Sequence, residues 1–122
     1  MSNGLKVLVC DDSVLVRKQM HNILTASGID TVAEAVDGEQ AVVKYAEFMP
    51  DVVFMDIVMP KKTGIDALKD IISLDPDAKV VMASSIGTQG NLKEAIDCGA
   101  YDFIQKPVSE AAVIKLIEKI KA

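Results

Sequence analysis

Short apolar runs alternate along the chain with longer segments of helical period. Runs at 6–10, 31–35, 52–55, 79–83 and 102–104, most of them rich in β-branched residues, predict five strands. Between and after them, apolar positions recur every three to four residues. Val14, Val16, Met20, Ile23 and Leu24 predict a first helix with one buried face, and Ala41, Val42, Tyr45 and Ala46 a second. Leu68, Ile71 and Ile72 predict a third, Leu92, Ala95 and Ile96 a fourth, and Val113, Ile114, Ile117 and Ile120 a fifth.

The boundaries carry matching chemistry. Asp37 and Asn91 each precede a Gln or Glu three residues on, the pattern of a capping box, and Thr63 with Asp66 is a weaker version. Ser109 is placed to cap the last helix, and Asp12 or Ser13 the first. Gly28 and Gly99 follow helices one and four, where a left-handed residue is wanted. The pair Gly87 and Gly90 lowers helix propensity, so helix four should start late, near Asn91, after a mobile loop. Strict β-α alternation predicts a parallel sheet covered by helices on both faces, with residues 1–122 forming one α/β domain.

Composition narrows the function classes. The 122 residues are 50% hydrophobic and carry a net charge of −5. The basic residues are scattered, which argues against direct nucleic-acid binding. No apolar run approaches the roughly 18 residues of a membrane span, and a signal peptide is not apparent, so a cytoplasmic location without membrane insertion is expected. Cys10 and Cys98 read as reduced, half-buried thiols. His21, the only histidine, reads as a surface or packing residue, Lys61 and Lys62 as a solvated turn.

Ligands of such sheets bind beyond the carboxyl ends of the strands. Asp11 and Asp12 end the first apolar run, Asp56 the third and Ser84 the fourth, while Lys106 lies just past the fifth. Taken singly, each aspartate reads as readily as a cap or a solvated loop residue. Jointly, three carboxylates on one rim repel one another, and a divalent cation such as Mg²⁺ would relieve that. A carboxylate nucleophile, a hydroxyl and an ammonium beside a cation are the parts phosphoryl transfer needs. No glycine-rich nucleotide loop is present.

Five stretches then bring a family into view: Val7 to Ser13 with Asp11 and Asp12, Asp51 to Pro60 with Asp56, Thr63-Gly64, Val80 to Ser85 with Ser84, and Gly99 to Pro107 with Lys106. Together they resemble a response-regulator receiver domain of the small stand-alone CheY type. The resemblance implies a flavodoxin-like fold with five helices and strand order 2-1-3-4-5, the order that flavodoxin and CheY share. It implies that Asp56 accepts a phosphoryl group from a histidine kinase. Asp11, Asp12, Asp56 and the Val58 carbonyl would hold Mg²⁺ (or Mn²⁺), Ser84 and Lys106 would bind the phosphoryl oxygens, and the Lys106–Pro107 peptide would be cis. Ser84 and Phe103 would form the switch, altering the face of helix four, strand five and helix five. The chain would then be a signalling switch in chemotaxis, not an enzyme, with a downstream target such as a flagellar motor component.

Departures from the family pattern carry expectations of their own. Phe103 stands where Tyr or His is common, so that position offers no polar contact to a partner; the competing reading is a plain core residue. Val58 and Ile86, two residues after Asp56 and Ser84, are apolar where relatives place side chains beside the attacking water. Slow hydrolysis and a dedicated phosphatase follow. The alternative is a receiver excised from a longer regulator with a DNA-binding or enzymatic output domain. A Mg²⁺-dependent phosphatase fits less well, because it wants a general acid where Val58 stands.

Overall fold

In a strand, successive side chains point to opposite faces, so a sheet covered on both sides needs apolar residues at every position. The computed structural model describes residues 4–121 and meets that requirement with five strands. They are β1 (Lys6–Cys10), β2 (Thr31–Ala35), β3 (Val52–Asp56), β4 (Val80–Ser84) and β5 (Asp102–Gln105). The helices are α1 (Val14–Ala26), α2 (Gly38–Phe48), α3 (Gly64–Leu74), α4 (Leu92–Asp97) and α5 (Glu110–Lys121). Every strand pair is parallel, in the order β2-β1-β3-β4-β5, as expected. The chain therefore reverses direction across the sheet between β1 and β3, which opens a crevice at their carboxyl ends.

The alternation divides the core into two layers. Val52 and Phe54 of β3 pack with Met20 and Leu24 of α1 and Val113 and Ile117 of α5. Val53 and Met55 face the other way, onto Tyr45 of α2, Leu68 and Ile71 of α3 and Ala95 of α4. Residues 52–57 and 80–84 are all buried, so the central strands are shielded from water on both faces. No helix among the described residues is long and apolar enough to cross a membrane.

Most local signals hold. Ser13, Asp37, Thr63 and Ser109 accept backbone N–H bonds from Val16, Gln40, Asp66 and Ala112 at 3.3, 2.8, 3.2 and 3.0 Å. Gly28 and Gly99 adopt φ of 92° and 106°. The Lys106–Pro107 bond is cis. Cys10 and Cys98 are free.

Others fail for identifiable reasons. Asn91 makes no capping bond, because residues Ile86–Asn91 already form a 3₁₀ helix and leave Asn91 in right-handed helical geometry. The expected loop is thus a folded turn, in which the Ser85 N–H donates to Thr88 Oγ1 at 2.9 Å. Helix four still begins at Leu92. Val14 is 70% exposed, and Ile96 also faces solvent, although both fit the helical period. Val14 lies in the first turn of α1, and Leu15 beside it is exposed as well. Strands β3 and β4 each reach one residue further than the apolar run, taking in Asp56 and Ser84.

Tyr45, on the buried face of α2, also ties α2 to the end of α3: its hydroxyl donates to Asp75 Oδ2 at 2.8 Å. Tyr45→Phe should cost about 1.5 kcal/mol, the low end for a bond to a charged acceptor. A urea unfolding series checks this, and no change in midpoint would contradict it.

Candidate functional site at the carboxyl rim

Each residue of the rim is placed by the ladder beneath it. Asp56 is paired across to Ala83, and Ser84 to Gln105, so both are fixed by strand hydrogen bonding and not by loop conformation. The Asp11 N–H continues the ladder past β1, donating to the Ala35 carbonyl at 3.1 Å. The Lys106 N–H does the same past β5, donating to the Ser84 carbonyl at 2.7 Å. A rim built this way is positioned before any ligand arrives.

The side chains converge as expected. Asp11, Asp12 and Asp56 each present one carboxylate oxygen within 4.8 Å of the others. Asp11 is 2% exposed and Asp56 9%, whereas Asp12 is open to solvent. Asp11 is committed on both oxygens: Oδ1 accepts the Ser13 N–H at 2.9 Å, and Oδ2 lies 2.7 Å from Lys106 Nζ. Lys106 Nζ is also 3.3 Å from Asp56 Oδ2. Its stronger tie is therefore to Asp11.

Charge and burial set the protonation preferences. Burial, and next the charge of Asp11, push the Asp56 carboxyl above the usual carboxylate range, against the pull of Lys106 and the Val58 amide. Burial works to lower the Lys106 ammonium. Its hydrogen bond to Asp11 and the charges of Asp56 and Asp11 outweigh this and leave it above the ordinary lysine value. A single lysine thus holds together two carboxylates that would otherwise repel each other in a poorly solvated place.

Ser84 is fully buried, and its Oγ has no hydrogen-bond partner among the described residues. A buried hydroxyl without a partner is costly, and an incoming oxygen would relieve it. The donor set, all hard carboxylate oxygens with one open side at Asp12, suits Mg²⁺ with part of its water retained. The residues present therefore fit both a cation and an oxyanion.

The remaining expected positions separate. Val58 is 60% exposed on the loop after β3. Phe103 is 47% exposed on β5, which overturns its reading as a plain core residue; an edge strand leaves that face uncovered. The side chain of Ile86 lies outside what the structure describes. Lys61 is exposed, and Lys62, in the same turn, is only partly exposed and pairs with Asp70 of α3. His21 sits beside Glu34, 3.8 Å from Nδ1 to Oε2, on the outer surface of α1 and β2.

Two supports of the site had no role assigned from sequence, although Gly64 stands in one of the family stretches. Arg17, the only arginine, donates from Nη1 to the Asp11 carbonyl at 2.8 Å and from Nε to Glu34 Oε1 at 2.9 Å. It braces the backbone that carries Asp11 and Asp12. An arginine one helical turn after an N-cap is a weak signal, which becomes informative only once Glu34 is known to lie on the adjacent strand. Gly64 is the second: a Cβ there would stand 2.9 Å from the Asp56 carbonyl carbon, against backbone that cannot rotate away. Its own N–H donates to the Ile57 carbonyl at 2.8 Å.

Comparison with known proteins agrees with this geometry. Residues 7–118 match the response regulator receiver domain family. The chain is 43% identical to chemotaxis protein CheY of Thermotoga maritima over 117 residues, covering 96% of this chain and 98% of that one. It is 45% identical to CheY of Listeria monocytogenes over 115 residues, 94% and 97% of the two chains. Among solved structures it is similar to the CheX–CheY–BeF3–Mg complex from Borrelia burgdorferi, with a TM-score of 0.89, 38% identity, and coverage of 97% of this chain and 90% of that one. This chain belongs to the response regulator receiver domain family and is a receiver of the CheY type in two-component signalling.

Proposed function

We propose that the chain is a phosphorylation switch whose carrier is the Asp56 carboxylate. The observation that supports this most directly is Lys106 Nζ lying 2.7 Å from Asp11 and 3.3 Å from Asp56, with Asp12 beside them. Ser84 ends the neighbouring strand, its hydroxyl buried and without a partner among the described residues. A phosphohistidine of a histidine kinase would be the donor. An Asp56 oxygen forms a bond to phosphorus as the phosphorus–nitrogen bond breaks, and that electron pair leaves with the imidazole nitrogen. Asp11, Asp12, Asp56 and the Val58 carbonyl would hold Mg²⁺, which supplies charge neutralisation at a phosphoryl oxygen. Lys106 meets a second oxygen and the Ser84 hydroxyl donates to a third.

Switching follows from what changes on modification. The phosphoryl group gives Ser84 a partner that none of the described residues supplies and draws the ammonium of Lys106 toward it. Taking a two-state equilibrium from 1:99 to 99:1 needs about 5.5 kcal/mol of differential contact. A charge-assisted bond of about 1.5–3 kcal/mol and a neutral one of about 1 kcal/mol supply a large part. Phe103, now exposed on β5, is the element expected to turn inward as the loop after β4 moves, remodelling the face of α4, β5 and α5. The CheY relatives support a role in chemotaxis. The target would be a protein such as a flagellar motor component. The CheX–CheY neighbour supports a CheX-like protein as a partner, and its BeF3 and Mg support the ligand set.

Incubation with acetyl phosphate, followed by intact mass, tests the reading. One phosphoryl per chain, gained with Mg²⁺ and lost with a chelator, is expected. Uptake that ignores Mg²⁺ would count against the site. The lifetime of the product tests the apolar surroundings: Val58→Asn should speed its loss roughly fivefold, the effect of about 1 kcal/mol of hydrogen bonding to the attacking water. An unchanged lifetime would reject the role given to Val58, and Ile86→Glu is expected to shorten the lifetime in the same way.

A further inference from the structure

The loop between β3 and α3 carries the Val58 carbonyl, and it is held from outside by the first turn of α2. Gly38 is buried there and lies directly on the backbone of Lys62. A Cβ at Gly38 would overlap the Lys62 carbonyl oxygen and stand 2.6 Å from its carbonyl carbon and 2.7 Å from its Cβ. The φ of Gly38 is not in the left-handed region, so the requirement is space, not conformation. Most of what it would strike is backbone, which has no rotamer to escape into.

Other contacts turn this apposition into a clasp. Asp37, 5% exposed, caps α2 with Oδ1 while Oδ2 lies 3.9 Å from Lys61 Nζ. Lys61 adopts a φ of 69°, unusual for a residue with a side chain. The Lys62 N–H donates to the Pro60 carbonyl at 2.8 Å, closing a tight turn, and the Lys62 side chain pairs with Asp70 of α3. The Gly64 N–H closes the far end on Ile57. With both ends pinned and the turn closed, a push on Lys62 is passed back along four residues to Val58.

We propose that Gly38 is a positioning residue for the cation site: by admitting the Lys62 backbone against α2, it sets where the loop presents the Val58 carbonyl. This rests on the reading that the Val58 carbonyl and the three aspartates bind Mg²⁺. Helix propensity alone makes Ala the better residue within α2. The clasp predicts instead that Gly38→Ala binds Mg²⁺ roughly tenfold more weakly, the usual scale for disturbing the support of a ligand. Gly90, with nothing within 4 Å of an added Cβ, provides the control.

Calorimetric titration of the whole chain with Mg²⁺ alone, with amide NMR shifts recorded without metal, carries the test. Gly38→Ala should lower affinity and displace the amide signals of residues 57–59, whereas Gly90→Ala should do neither. Equal Mg²⁺ affinity in native and Gly38→Ala chains overturns the inference. If native affinity is itself indifferent to Asp12→Ala and Asp56→Ala, the underlying site reading has failed instead. Should Gly38→Ala not fold, Gly38→Ala/Lys62→Gly removes the Cβ contact and frees the turn to swing aside. It should still bind more weakly than Lys62→Gly alone, and equality there overturns the inference equally.

Discussion

Asp56→Ala is expected to abolish phosphoryl uptake from acetyl phosphate while the chain stays folded and Asp11 and Asp12 remain in place. The three carboxylates are not equivalent as nucleophiles. Asp11 has one oxygen bound by the Ser13 amide and the other by Lys106 at 2.7 Å. Asp12 is exposed, and water solvates it. Asp56 is fixed by its pairing with Ala83, and its tie to Lys106 is the looser one at 3.3 Å. It also has the Val58 amide to orient it. Intact mass of native and Asp56→Ala chains, side by side with Mg²⁺, reads the outcome directly. Modification of both chains to the same extent would place the carrier elsewhere. Removing one carboxylate also relieves repulsion within the site, so the variant should lose no stability in chelator.

Lys106→Ala should have the second largest effect, and in opposite directions on two measurements. In the metal-free chain Lys106 is the counter-charge of Asp11 and Asp56, with 19% of its side chain exposed against 3% for Asp11. Removing one partner of a buried pair leaves the other charge uncompensated, at about 3 kcal/mol here, the low end for such a loss because the ammonium is not fully buried. Denaturant unfolding in chelator should show this decrease. Excess Mg²⁺ should restore about 2.7 kcal/mol at 100 times its dissociation constant. With one positive charge gone, Mg²⁺ affinity should rise, since the cation no longer competes with an ammonium for the same oxygens. Phosphoryl uptake should nevertheless fall roughly a hundredfold, as when one donor to a developing oxyanion is deleted. If stability in chelator is unchanged, the ion pairs read from the geometry do not support the fold.

Much of this site was legible before the fold was known, and the parts that were not share a cause. Asp11, Asp56, Ser84 and Lys106 stand where strand-like runs stop, and a strand end in a parallel sheet is also the place where ligands bind. The caps at Ser13, Asp37, Thr63 and Ser109 could be read because each bond spans only three residues. Val14 misled because helical period identifies a face but not where along the helix a neighbour ends. Asn91 misled because the residues before it were already helical, which denied it the extended conformation a cap requires.

By itself, then, the sequence determined the strands and helices, their parallel arrangement and the chemical types collected at one rim. Periodicities of two and 3.6 are written into neighbouring residues, and so are the breaks that end them. Only the tertiary structure decided that Lys106 holds Asp11 more closely than Asp56, that the Ser84 hydroxyl is buried with no partner among the described residues, that Arg17 braces the Asp11 carbonyl, and that Gly38 lies under Lys62. Each joins residues on separate elements. Such contacts depend on register and on how the crossovers pack, which no local pattern of residues encodes.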